Sequence, residues 1–172
     1  GLGAGSQQPL GMLKAPNTAI AQSRAGSGHI AVADCTNMMK QLIPFSWNHA
    51  IWMTSPYSLA DIGKIAGYVP NEDPLGTEMG CAGSLFSRPL FVTEKLPALG
   101  TAGDLMLVDP SLYVIGNRMD VEITLSDQGP SFTSNQTWIK VWLRCDGRPL
   151  LDNKVTLQDA SSTVSSIIYL NT

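Results

Sequence analysis

The residues in this chain that could carry chemistry are few and widely spaced. Histidine occurs twice, as His29 and His49, and neither has a cysteine or carboxylate at metal-ligand spacing. A zinc site built on an HExxH helix or a Cys/His knuckle is therefore not expected. Cys35, Cys81 and Cys145 are odd in number and far apart, so a disulfide framework or CxxC centre does not fit them. They read as three reduced thiols in or near the core, as expected of a reducing cytoplasm. Glu72, Asp73 and Glu78 form the one acidic cluster. Acid–base work would need a pocket that shifts their pKa, and a polar, glycine-rich surround predicts solvated side chains instead.

Phosphate and nucleophile motifs fare no better. Gly1, Gly3 and Gly5 suggest a dinucleotide loop, but Ser6 stands where the third glycine of GxGxxG is required and no strand precedes it. Gly63-Lys64 lacks the rest of a phosphate loop, and no GxSxG elbow occurs. Trp138 and Trp142, beside Lys140 and Arg144, could stack nucleic-acid bases. Packing against another layer or a neighbouring subunit is the simpler use of such a face. No catalytic, cofactor-binding or metal-ligating residue is assigned, and no cofactor is expected.

The elements that would position any site follow from the chain's patterning. The 172 residues suit one domain or two small interlocked ones. A 44% hydrophobic and 15% charged composition is globular, and 16 glycines with 11 prolines predict short elements and many turns. The net charge of −3 comes with no basic stripe; Arg144 and Arg148 are separated by Asp146. Strong phosphate affinity is not expected from such a surface. No apolar run reaches membrane-spanning length and no signal-peptide order opens the chain. The first residue is not Met, which reads as processing or as a fragment of a longer product.

Gly1–Gln8 reads as a small, flexible lead, Pro9–Leu13 as an apolar anchor, and the stretch on to Gly28 as extended loop. A helix is predicted from Ala33–Asp34, with Cys35, Met38, Met39 and Leu42 on one face and Pro44 ending it. Ala50–Thr54 reads as a strand. Ser55-Pro56 then opens a second helix carrying Leu59, Ile62, Ile65 and Ala66, closed by Gly67. Val69–Ser87 reads as a long, mobile surface loop.

Strands are predicted at Pro89–Thr93, Asp104–Asp109, Leu112–Ile115, Val121–Leu125, Trp138–Cys145, Val155–Leu157 and Ile167–Leu170. Asp146-Gly147 reads as a turn. Ile139, Val141 and Leu143 read as packing positions on the strongest strand, facing away from Trp138, Lys140, Trp142 and Arg144. The sum is α+β, helices early and strands late.

Several collinear segments resemble the major capsid proteins of tailed phages and prophages, the Hong Kong 97-like fold. They are Gln8–Leu13 (QPLGML), Ala33–Met39 (ADCTNMM), Ile51–Pro56 (IWMTSP) and Pro89–Asp104 (PLFVTEKLPALGTAGD). Phe132-Thr133, Asp146–Pro149 (DGRP) and Val164–Leu170 (VSSIIYL) follow in order. Each is short; their order and spacing carry the resemblance over nearly the whole chain. None is a catalytic motif.

The resemblance implies a structural, non-enzymatic shell subunit forming pentamers and hexamers around double-stranded DNA that is enclosed but not specifically bound. Scaffolding, portal or decoration proteins would be further partners, with no membrane contact. The location would be the virion capsid, after synthesis in the bacterial host cytoplasm. It also implies an axial domain over residues 22–117 and 158–172, peripheral-domain strands over 118–157, and a peripheral or linker remnant over 1–21. The family's N-terminal arm, spine helix and extended loop would precede Gly1, so these residues alone are not expected to close into shells. Some members crosslink a lysine of that loop to a later asparagine; Asn135 lies nearby, but no crosslink residue is assigned. An encapsulin-type compartment shell and an unrelated small hydrolase or binding domain are the alternatives.

Overall fold

The computed structural model describes residues 9–71, 81–126 and 133–172. Its strands are β1 (Ile20–Gln22), β2 (Ile51–Thr54), β3 (Tyr68–Pro70), β4 (Cys81–Leu85), β5 (Arg88–Val92), β6 (Leu105–Val108), β7 (Tyr113–Ser126), β8 (Trp138–Pro149), β9 (Val155–Thr156), β10 (Thr163–Val164) and β11 (Ile167–Leu170). The α-helices are α1 (Val32–Lys40) and the single-turn α2 (Leu59–Ile62). The architecture is α+β, with strands on both sides of the helices in sequence. Among the described residues no helix is long and apolar enough to cross a membrane.

Two bodies of very different build result. The first is a seven-stranded mixed sheet in the order β1-β11-β6-β2-β5-β4-β3, with β9 and β10 as a small separate pair. The second is a ribbon of β7 and β8 alone. In the sheet, β1 runs parallel to β11 and β2 parallel to β5, and the other neighbours are antiparallel.

Central strand β6 is buried at all four residues because both faces of the sheet are covered there. Strand alternation sends Leu105 and Leu107 into one cluster with Cys35, Met38, Trp52, Ile62, Ile168 and Leu170. It sends Met106 and Val108 into a second cluster with Ala19 and Ile167, against which Met12, Leu13 and Met53 pack. Helix α1 covers the first face through Cys35 and Met38. Its start is fixed by Asp34, whose carboxylate accepts the Ala31 and Ala25 amides at 2.8 and 2.6 Å.

The structure revises several sequence expectations. Helix α1 ends at Lys40, before Pro44 can act, because Gln41 and Ile43 bond the backbone of Ser165. The second helix opens as a 3-10 turn at Pro56–Ser58 and stops at Ile62. Gly67 does not close it. Its missing Cβ admits the Phe86 ring, which would stand 2.6 Å away, and its carbonyl accepts the Phe86 amide. Ile20–Gln22, read as loop, is edge strand β1.

The Val69–Ser87 segment is not one long loop. Its ends pair as β3 and β4, and β4 turns directly into β5. That turn is the two residues Phe86 and Ser87, both at positive φ (49° and 62°). The geometry is that of the tight hairpin turn usually marked by Asn-Gly. Phe-Ser hid it. The centre of the segment, with Glu72, Asp73 and Glu78, lies outside the described residues.

The predicted turn at Asp146-Gly147 is strand. Gly147 pairs with Ile115, and a Cβ on it would stand 2.8 Å from the Tyr113 hydroxyl, so glycine there makes room for a ring. Of the predicted strands Leu112–Ile115 and Val121–Leu125, Leu112 ends a 3-10 turn and the rest belongs to a single long strand, β7.

Candidate assembly surface

Family and function have to be sought on surfaces, because the chemistry-bearing side chains do not converge. Among the described residues no group of three or more His, Cys, Asp or Glu side chains could hold a metal ion. His49 is exposed at the end of a 3-10 turn. His29 has a partner that its sequence neighbourhood did not show. Its Nδ1 lies 3.0 Å from Asp61, whose other oxygen accepts Lys64 Nζ at 2.9 Å. The hydrogen bonds from Lys64 and then His29 hold the Asp61 carboxyl below its ordinary pKa. The His29 and Lys64 side chains are largely exposed, so this is a surface cluster that joins the loop before α1 to Asp61 of α2 and to Lys64 just after it.

The cysteines separate by environment. Cys35 is fully buried and its thiol is pushed up to about 12 by burial, with the Asp34 charge adding to it. A thiol so protonated at neutral pH is a poor nucleophile. Cys81 is half-buried, and Cys145 stands exposed on the ribbon, which corrects the expectation of three core thiols.

Buried charge is used as a clamp. Arg24 Nη2 bonds both oxygens of Asp104 at 2.9 and 2.8 Å, and the two side chains are 3% and 0% exposed. Arg24 Nη1 also donates to the His29 carbonyl, and Asp104 accepts the Gly100 amide. The pair thus pins the loop before α1 to the loop before β6. Arg88, its pKa lowered by burial, lies 4.4 Å over the Trp47 ring and donates to the Trp47 carbonyl.

The unusual surface is the ribbon. Cross-strand pairs Ile123↔Val141 and Leu125↔Ile139 set apolar side chains side by side on one face. These four are 60–66% exposed (Ile123 64%, Leu125 65%, Ile139 66% and Val141 60%), and Val121 is 59% exposed. Ile139, Val141 and Leu143, expected as packing positions of the intact subunit, are therefore not covered by the described residues of this chain. The reason is that no layer among the described residues lies over them.

The opposite face carries Trp142 opposite Glu122 and Lys140 opposite Thr124. Lys140 and Arg144 lie 4.9 and 5.3 Å from the Trp142 ring, which leaves that ring half-covered by cations from its own strand. Trp138 is exposed. Two register shifts in β7, between Asn117 and Met119 and between Met119 and Glu122, insert extra residues and so bend and twist the ribbon. Asn135 sits in a left-handed turn just before β8.

The phage capsid family model matches residues 1–158. The chain belongs to the phage capsid family. Membership of that family makes the chain a structural, non-enzymatic one. Two solved structures share its fold. The capsid of an empty GTA particle computed with C5 symmetry superposes with a TM-score of 0.62 at 14% identity, over 96% of this chain and 57% of that one. The capsid of a native GTA particle computed with C5 symmetry gives 0.64 at 15% identity, over 98% and 57%. This phage capsid chain thus spans a little over half the length of those capsid chains. No curated protein matches it in sequence.

Proposed function

We propose that this chain serves as a structural subunit of an icosahedral phage or prophage capsid, self-associating through pentamers and hexamers in the Hong Kong 97-like manner. The observation that carries the reading is the family match over residues 1–158, borne by a fold that superposes on capsid chains. The axial domain is assigned to residues 22–117 and 158–172, the peripheral domain to 118–157, and the linker remnant to 1–21. The division is supported by the split between a compact sheet and a ribbon of residues 113–126 and 138–149. A long two-stranded ribbon with an uncovered apolar face is marginal in water on its own and suits a surface buried during assembly.

Scaffolding, portal and decoration proteins are the further partners of this reading, and DNA is enclosed without specific contacts. The net charge of −3 suits a lining that does not grip its contents. The place of synthesis is the host cytoplasm and the destination the virion shell. Electron microscopy of the product of the natural coding sequence tests the proposal. Closed particles whose subunit density accepts both sheet and ribbon are expected. Dispersed monomers under all assembly conditions, or density without the ribbon, overturn it.

A further inference from the structure

Residues 9–18 run from the ribbon to the sheet and are held at the two ends by different means. At the ribbon end, the Leu10 amide donates to the Gly147 carbonyl at 2.9 Å, and the Tyr113 hydroxyl donates to the Leu10 carbonyl at 2.6 Å. Burial, and then the Asp146 charge, raise the Tyr113 pKa, so the phenol keeps its proton for that bond. At the sheet end, Met12 and Leu13 pack on the cluster of Ala19, Met106, Val108 and Ile167. Leu13 fills the place a Cβ on Gly103 would take, 2.9 Å from its Cδ2. Ala15 and Thr18 are each 3% exposed, and the Thr18 carbonyl accepts the Ser165 hydroxyl.

The covalent neck of the ribbon is slight. β7 leaves a 3-10 turn at Pro110–Leu112, β8 ends at Pro149, and one bond from the Leu150 amide to the Leu112 carbonyl closes the crossing. Between neck and strap lies a half-open groove of about 310 Å3, lined by Leu10, Pro16, Thr18, Arg148, Pro149 and Leu151. The joint therefore lacks the packing on both faces that β6 has in the sheet.

We propose that residues 9–18 are a strap that sets the angle between ribbon and sheet and lets go at its ribbon end first. Packing, the Ser165–Thr18 bond and two bonds to the segment past β8 (Thr18 Oγ1 to the Leu151 carbonyl, the Lys154 amide to the Asn17 carbonyl) anchor the sheet end, while two hydrogen bonds beside an open groove anchor the ribbon end. Once those bonds open, the strap stays with the sheet and the ribbon swings about its neck. A shell subunit set among non-identical neighbours can use such a joint to adjust its reach. Only that use depends on the capsid reading; the mechanics stand on this chain alone.

The test is Tyr113→Phe in the chain as it stands, followed residue by residue with amide hydrogen exchange. Loss of one hydrogen bond should speed exchange at Leu10 by about two- to tenfold, with Leu105–Val108 and Ile167–Leu170 unchanged. Residual dipolar couplings supply a second readout. Ribbon and sheet amides should share one alignment in the parent chain and require two in Tyr113→Phe. Unchanged exchange at Leu10, acceleration shared equally with the sheet, or a single common alignment in the variant would each overturn the strap.

Discussion

Strand β6 and the ribbon of β7 and β8 are both rich in Leu, Ile, Val and Met, yet their surroundings are opposite. All four residues of β6 are buried between two apolar clusters. In the ribbon, burial is confined to Gly147 and Pro149 at the base, with Tyr113 and Trp142 half-covered. Period-two alternation specifies a strand and a wet and a dry face, but it does not say whether the dry face is covered by the same chain. In the sheet the covering layers come from the same chain, from α1 and residues 12–19. For the ribbon no described residue supplies one. An apolar strand face without a cover marks an interaction surface, and under the proposed capsid reading it is the surface that assembly would bury.

The sharpest way to expose the difference is thiol chemistry. Cys145 on the ribbon should react with a disulfide reagent at the rate of an exposed thiol. Cys35 must wait for the sheet to open, and at ordinary domain stability that slows it by more than about a thousandfold. Comparable rates at the two sites would show that the sheet body is as loose as the ribbon.

Truncating side chains should give the next largest contrast. Leu107→Ala removes a fully buried side chain from the first cluster and should cost about 2–5 kcal/mol in denaturant unfolding. Val141→Ala, at 60% exposure, should stay within about 0.5 kcal/mol in the unassembled chain. If Val141→Ala proved as damaging as Leu107→Ala, something within the chain would have to cover the ribbon.

Much of the fold was legible because local rules and tertiary packing agree. Asp34 at the start of α1, the Ala50–Thr54 strand and the apolar run of β6 carry ordinary signals, and the structure uses them in the ordinary way. The errors share a physical origin in long-range partners. Gly67 and Gly147 looked like a helix stop and a turn, yet each gives way to an aromatic ring, of Phe86 and Tyr113. The β4–β5 hairpin turns on Phe86-Ser87, residues with no intrinsic preference for positive φ. Helix α1 ends by pairing with Ser165, more than a hundred residues away in sequence. The ribbon strands themselves were readable, but their exposure was not, since periodicity carries no information about which layer arrives.

The smallest expected effect lies in the sheet body, and its sign follows from linkage. Asp61 has its folded pKa lowered by the hydrogen bonds from Lys64 and His29. A carboxyl whose folded pKa lies below its unfolded value stabilises the fold above the unfolded value, near about 3.9 for aspartate. That contribution is lost as pH falls through the lower, folded pKa. Because His29 and Lys64 are 76% and 74% exposed, solvent screening keeps it below about 1 kcal/mol. Asp61→Asn should therefore flatten the acid limb of the stability profile slightly below pH ~4 and leave the curve's shape above it unchanged. Removing His29 alone should keep part of the acid dependence, since Lys64 still holds the other oxygen. An acid limb indifferent to Asp61→Asn would mean that the cluster contributes nothing to the fold.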